Sequence, residues 1–218
     1  MKAVVLLSGG MDSSTLMYYV KYILDREPIA LTFKYGQKAQ EKELECAKKL
    51  CEIIGAEHHV FDISDIFGYF LSAILKGKNI PIPGGEVRGI PPTYVPYRNT
   101  ILLSLACGFA ESHDISEVYY AANEVDYSGY PDCRLDYIIM FNELSRKAAR
   151  NPVNVYAPLA GFAKWQIVKL GEKLHVPWKY TWSCYRSGPT PCGRCPSCKL
   201  RAEAFRKAGV RDEAVELH

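Results

Sequence analysis

Nowhere in this sequence is there a run of the roughly 20 apolar residues that a membrane-crossing helix needs. The apolar run before Ser8 is too short for the core of a secretory leader. The expectation is a compact protein that stays in the cytoplasm and has no membrane partner. Low-complexity tracts and internal repeats are also missing, which argues against long disordered tails and stacked-repeat architectures. Neither sign of charge is concentrated: 27 basic and 24 acidic residues are interleaved, for a net charge of +3. Without a basic run, composition makes no case for nucleic-acid binding, and no direct contact with nucleic acid is expected. The 218 residues, 48% of them hydrophobic, suffice for one substantial core, so a single main domain with a small appendage is expected.

Two common phosphate-binding signatures are absent as well. No glycine-rich turn is followed by Lys-Ser or Lys-Thr, and GxGxxG does not occur. What stands in their place is Ser8-Gly9-Gly10-Met11-Asp12-Ser13-Ser14, directly behind the apolar run Ala3 to Leu7 and ahead of a helical pattern. Successive glycines let a polyphosphate approach the backbone, and the serines supply hydroxyls at the positive end of a helix. The string resembles SGGxDS, the pyrophosphatase loop of enzymes that split ATP between its α and β phosphates. That resemblance implies adenylation of a substrate rather than phosphoryl transfer. The bland alternative is an ordinary glycine-rich strand-to-helix turn.

Eight cysteines in a chain expected in the cytoplasm need a reason other than disulfides. Cys184, Cys192, Cys195 and Cys198 provide one, in the string SCYRSGPTPCGRCPSC. Overlapping CxxC steps with Gly193 and Pro196 turn the backbone so that sulfurs converge, and Cys184 can close a tetrahedron. Zinc is the expected metal, one per chain and structural, because four thiolates leave no open position for water. An iron–sulfur cluster is the rival reading, and a set of buried free thiols is the plain one. Cys46, Cys51 and Cys107 are expected as small apolar helix residues, whereas Cys133 falls in a polar loop.

Strand-like runs at Ala3 to Leu7, Pro28 to Phe33, His58 to Phe61, Val118 to Ala121 and Val153 to Tyr156 alternate with helical patterns. Those patterns fall near Ser13 to Leu24, Gln40 to Ile54, Asp65 to Leu75, Thr100 to His113, Asp136 to Ala149 and Lys164 to Leu174. Alternation predicts an α/β fold, a parallel sheet covered by helices on both faces, with ligands at the carboxyl ends of the strands. Residues 1–180 would form the ATP-binding and catalytic domain. Residues 181–218 would form a small C-terminal zinc-binding helical appendage, with a helix over Lys199 to Ala208.

Two irregular segments concentrate polar chemistry. Gly77 to Pro96, crowded with proline and glycine, is expected to be a binding loop that delivers Arg98 and Asn99 to the next helix start. Arg98 can pair with a carboxylate or phosphate, and Asn99 can either cap a helix from Thr100 or contact a ligand. Asn123 to Arg134 offers Glu124, Asp126, Tyr127, Tyr130, Asp132 and Arg134, groups suited to holding a planar, amide-bearing heterocycle. A solvated acidic loop is the alternative.

SGGMDSS, Tyr35-Gly36-Gln37, TYVPYRNT at Thr93 to Thr100, DYSGYPDCR at Asp126 to Arg134 and TWSCYRSGPTPCGRCPSCKLRAEAF together resemble the QueC family of 7-cyano-7-deazaguanine synthases, over almost the whole chain. The resemblance implies the adenine nucleotide alpha hydrolase-like fold of pyrophosphatase-loop enzymes. It implies ATP-dependent conversion of 7-carboxy-7-deazaguanine and ammonia to the nitrile through an adenylated carboxylate and an amide, on the route to queuosine or archaeosine. A homodimer is implied too, with ATP and Mg²⁺ as cofactors beside Zn²⁺.

On this reading Leu7, Ser8, Gly9, Gly10, Met11, Asp12, Ser13, Ser14, Thr15, Leu16 and Met17 contact ATP. Asp12, Ser13, Arg98 and Lys164 are the catalytic candidates, Lys164 and Arg98 as charge-neutralising cations. Gln37, Arg98, Asn99, Asp126, Tyr130, Asp132 and Arg134 are the candidate substrate contacts. Three departures stand out: Tyr97 where the family usually has glycine, Lys164-Trp165-Gln166-Ile167 where it reads KxEI, and a slightly extended spacing after Tyr35-Gly36-Gln37. Tyr97, beside Arg98, is expected to narrow or re-line the acceptor pocket. Rival functions are a QueC-like ligase that uses another amine, a tRNA thiolase, and a non-catalytic zinc module that binds nucleic acid.

Overall fold

In a computed structural model, residues 1–84, 89–123 and 130–215 are described. Five strands, β1 (Lys2–Leu6), β2 (Glu27–Lys34), β3 (Glu57–Asp62), β4 (Glu117–Tyr119) and β5 (Asn154–Tyr156), pair in parallel in the order β3-β2-β1-β4-β5. Side chains of β1 alternate between two cores, as the period of a strand demands. Ala3 and Val5 pack on one face with Leu16, Met17, Leu50, Ile167 and Phe205; Val4 packs on the other with Leu103, Ala106, Phe141 and Val155.

Those partners name the layers. Helices α1 (Met11–Tyr22), α2 (Gln40–Ile54), α6 (Lys164–Lys173) and α7 (Pro196–Ala208) cover the first face, and α4 (Arg98–Ser112) and α5 (Leu135–Ala148) the second. Each fully buried Leu, Ile or Val contributes about 1.5–3 kcal/mol, so both cores hold the sheet. Gly171 lets α6 approach this closely: a β-carbon there would lie 2.3 Å from the Trp178 ring and 2.8 Å from Thr15 Oγ1. No helix among the described residues is long and apolar enough to cross a membrane.

Helix α7 begins at Pro196, three residues before the expected Lys199, and two other differences bear on the site. The helix expected over Asp65 to Leu75 is only α3 (Ser64–Phe67). Beyond it the chain turns back so that Phe67, Ile74, Leu75 and Val95 form a satellite cluster, with Ser72 Oγ bonded to Ile74 N–H and to Pro92 O. Helix α4 starts at Arg98, not Thr100, so Asn99 lies inside the first turn and does not cap it.

In the strand order the direction of winding reverses between β1 and β4. A crevice therefore opens where the loops leaving them diverge, which is where open parallel sheets bind ligands.

Candidate active site

The turn from β1 into α1 fills one side of this crevice. Gly9 has φ +72°, and a β-carbon on it would lie 2.5 Å from Glu43 O and 2.9 Å from Cys46 Cβ, so no other residue fits against α2. Ser8 and Ser13 hydroxyls meet at 3.0 Å, and Ser13 Oγ accepts from Ser8 N–H at 3.2 Å. Ser14 Oγ donates to Gly10 O at 2.7 Å. The first-turn N–H groups of α1 thus face the crevice with hydroxyls beside them, an anion-binding arrangement. Leu16 and Met17, expected in the ATP stretch, are fully buried core residues, and Thr15 Oγ1 bonds back to Met11 O.

Asp12, in the first turn of α1, is ion-paired with Lys164 at the start of α6. Asp12 Oδ1 is buried with no hydrogen-bond partner, an unsatisfied acceptor of the kind a cation would complete. Gln166, standing where KxEI would put glutamate, accepts Ala163 N–H at 2.8 Å, so it caps α6 as a glutamate would and keeps Lys164 in place.

Two adjoining chambers occupy the crevice. One, of about 240 Å³, has Leu6, Leu31, Phe33 and Leu102 as an apolar lining and Thr32, Tyr35 and Gln37 beside it. The other, of about 270 Å³, is lined by Asp12, Lys164, Asn123, Tyr130, Trp182 and Ser183 among others. Ser8, Ser13, Glu43, Arg98, Ala121, Cys133 and Tyr185 border both, so the two chambers meet at these residues.

Arg98 reaches this junction from α4. Burial opposes its charge, but Tyr35, Cys133, Asp132 and Tyr130 around it outweigh that cost and its pKa is raised. Its guanidinium lies 5.8 Å from the Tyr130 ring centroid. Tyr35 is pushed up to about 12 by burial, so it stays a neutral phenol. Asn99 Nδ2 donates to Asp132 O at 3.0 Å and to Cys133 Sγ at 3.4 Å, while its own N–H is capped by Asp132 Oδ2 at 3.0 Å. Asp132 therefore supplies the α4 cap from a separate loop.

Of the other expected substrate contacts, Tyr130 and Gln37 border the cleft. Gln37 is 4% exposed and bonded on both sides, accepting Tyr35 N–H at 2.9 Å and donating to Glu43 Oε2 at 2.9 Å. Arg134, paired with Asp136 at 3.4 Å, and Asp132 line a separate groove with Tyr94, Tyr97 and Tyr137. Asp126 lies outside the described residues, as do Glu124 and Tyr127. Tyr97 is 69% exposed, and with φ +54° at the start of α4 it lines that outer groove beside Asp132 and Arg134, not the two chambers of the crevice.

The sulfur atoms of Cys184, Cys192, Cys195 and Cys198 lie within 4.8 Å of one another. A zinc tetrahedron with ~2.3 Å bonds has edges of about 3.8 Å, so this group could hold a metal ion with slight contraction, and an all-thiolate set suits zinc. Arg186 and Cys192 N–H groups point at Cys184 Sγ, each at 3.4 Å, and donation from the Cys184 and Cys198 thiols pulls the Cys195 pKa far down. This knuckle is wired to the β1–α1 turn: Trp182 N–H donates to Gly9 O at 2.8 Å, and Trp182 Nε1 to Cys184 O at 2.9 Å. Tyr185 Oη lies 3.5 Å from Tyr130 Oη, which lies 2.8 Å from Thr93 Oγ1.

A family profile described as "Queuosine biosynthesis protein QueC" matches residues 2–209. The chain belongs to the QueC family. It is 44% identical over 225 residues to a 7-cyano-7-deazaguanine synthase of Trichodesmium erythraeum, covering 97% of this chain and 99% of that one. It is 41% identical to the enzyme of that name in Picrophilus torridus, covering 97% and 90%. Among solved structures, a 4-thiouridine synthetase in complex with RNA and ATP shares the fold with TM-score 0.54 at 19% identity, over 94% of this chain and 53% of that one. NMN synthetase from Francisella tularensis gives TM-score 0.51 at 15% identity, over 96% and 78%. These two likenesses carry the fold alone, which is the parallel, helix-flanked α/β architecture expected.

Glu43 carries no motif signal, but it lies on the stripe Gln40, Ala47, Leu50 and Ile54 of α2 that faces the protein, and a carboxylate on that stripe is the legible signal. Trp182 and Tyr185 carried no signal beyond closeness to a cysteine ligand.

Proposed function

We propose that this chain converts 7-carboxy-7-deazaguanine and ammonia to 7-cyano-7-deazaguanine at the expense of ATP, for queuosine or archaeosine biosynthesis. One observation carries the reading beyond family membership. The Ser8–Ser14 loop, the Asp12–Lys164 pair and Arg98 converge on one crevice whose two chambers differ in polarity.

The apolar chamber suits the adenosine of ATP, and the charged one suits phosphates and the acceptor carboxylate. Ser8, Ser13 and the α1 N-terminus hold the departing pyrophosphate, while Lys164 and Arg98 offset charge as the substrate oxygen attacks the α-phosphorus. Asp12, with one oxygen unsatisfied, would hold Mg²⁺, which when bound neutralises the phosphates. Ammonia then displaces AMP to give the amide. A second adenylation, on the amide oxygen, lets that oxygen leave with AMP and the nitrile form.

Gln37, Asn99, Tyr130, Asp126, Asp132 and Arg134 are retained as substrate contacts, the last two by way of the outer groove. Residues 181–218 act as the zinc-bearing unit, with one structural Zn²⁺, and 1–180 as the catalytic one. The protein is proposed to be a cytoplasmic homodimer without direct nucleic-acid contacts. A ligase that passes the activated carboxylate to another amine is the second reading, since both reactions share every step up to the adenylate. Incubation with 7-carboxy-7-deazaguanine, Mg-ATP and ammonium, followed by mass spectrometry, separates them: nitrile with AMP supports the synthase, and AMP without nitrile supports the other ligase.

A further inference from the structure

Two proton problems run through the reaction proposed above, on which this inference rests. Ammonium is not a nucleophile until it loses a proton, and the adenylated amide must lose both N–H protons before the C≡N bond is complete. A base is therefore required where nitrogen meets the activated carbon. Among the described residues that border both chambers, the side chains with chemistry are Ser8, Ser13, Glu43, Arg98, Cys133 and Tyr185. Ser8 and Ser13 are occupied with each other, and Arg98 is a permanent cation. Burial raises the pKa of Cys133 and of Tyr185, which leaves both protonated.

We infer that Glu43 is the general base for nitrogen, taking a proton from ammonium in the first half of the reaction and from the amide nitrogen in the second. Its position is built rather than incidental. Gln37 Nε2 holds Oε2 at 2.9 Å, and Gln37 is itself fixed by Tyr35 N–H and Phe33 O. Among the described residues only Oε2 is engaged, so Oε1 is available to a proton donor in the cavity. The backbone carbonyl of Glu43 packs against Gly9, which ties the base to the loop that presents ATP.

The groups that face Glu43 are Gln37 and Tyr35 after β2, Arg98 on α4 and Cys46 on its own helix, with the Asp12–Lys164 pair across the chamber. Burial lifts its pKa, against Gln37 and Arg98, which moves a carboxylate toward the range useful for general-base work.

The bonds balance as follows. Glu43 takes H⁺ from NH₄⁺, and the NH₃ lone pair attacks the acyl carbon. The C–O pair departs with AMP, and the tetrahedral nitrogen sheds its extra proton to phosphate. In the second round the amide oxygen bonds the α-phosphorus and pyrophosphate leaves. Glu43, having released its proton to solvent, then takes an N–H proton as the C–O bond to AMP breaks. The last N–H proton follows to solvent and leaves C≡N.

Glu43→Gln preserves the acceptor for Gln37 and tests this directly. The variant keeps substrate-dependent ATP–pyrophosphate exchange, because adenylation of a carboxylate needs no base. Its ammonium-dependent turnover falls by about 10²-fold at neutral pH and recovers as alkali frees ammonia. Hydroxylamine, already neutral at that pH, restores the first C–N bond-forming step to near the parent rate, and Glu43→Asp recovers part of the ammonium rate. Equal losses with ammonium and hydroxylamine, or full ammonium turnover in Glu43→Gln, overturn the role. Absence of exchange in the unaltered protein overturns the synthase reading itself, and the base with it.

Discussion

Gly9 is the residue at which the β1–α1 turn tolerates least change, because a positive φ and contact with the α2 backbone coincide there. Gly9→Ala should lower the unfolding free energy by roughly 2–4 kcal/mol, the sum of left-handed strain and overpacking, and weaken ATP binding in calorimetry. Tyr97 is the opposite case. Its φ of +54° costs a bulky residue about 1 kcal/mol, and its 69% exposure means little packing is lost on replacement. Tyr97→Gly should therefore raise the thermal midpoint by about 2–4 °C with turnover unchanged. A fall in either quantity would mean the phenol has a role in the outer groove. Glu43 links stability to pH. Its folded pKa is raised, so its contribution is full below the ordinary glutamate range and is lost as pH rises through the folded value. Glu43→Gln should melt above the parent at neutral pH and match it in acid. Of these three residues the sequence displayed Gly9 in a motif, whereas the strain at Tyr97 and the burial of Glu43 exist only once α4 and α2 are packed.

Elements were legible where a local pattern decided them. Strand and helix alternation, Gly55 ending α2 in a left-handed cap, and the cysteine spacing all follow from near neighbours in the chain. Elements set by distant partners were not. Helix α3 stops early because the residues after it pack on Val95, and α4 begins at Arg98 because Asp132 caps it from 33 residues away. The four-cysteine knuckle is the most consequential such case. Trp182 bonds Gly9 O, Tyr185 borders both chambers, and buried Arg201 fastens α7 to Thr181, Ser183 and Asp212. Cys195→Ser, or removal of metal by a chelator, should thus weaken ATP binding along with thermal stability. Metal-free protein that still binds ATP at the parent affinity would show that the strap is independent of the loop.

At the scale of the molecule, a parallel sheet whose winding reverses between β1 and β4 places the Ser8–Ser14 turn, Arg98 and the Asp12–Lys164 pair around one opening. Lys164→Ala should cost at least tenfold in kcat/KM, since it removes a cation from the charge developing on phosphate and leaves Asp12 unpaired. The class of fold was readable from patterns a few positions apart. The division of the crevice into an apolar and a charged chamber was not, because it depends on side chains from β2, α2, α4, α6 and the four-cysteine knuckle meeting across the sheet. The most direct measurement gives the purified protein 7-carboxy-7-deazaguanine, Mg-ATP and an ammonium salt and follows products by mass spectrometry. Nitrile, preceded by amide and accompanied by AMP and pyrophosphate, is the predicted result; hydrolysis of ATP to ADP, or no substrate-dependent release of pyrophosphate, would contradict it.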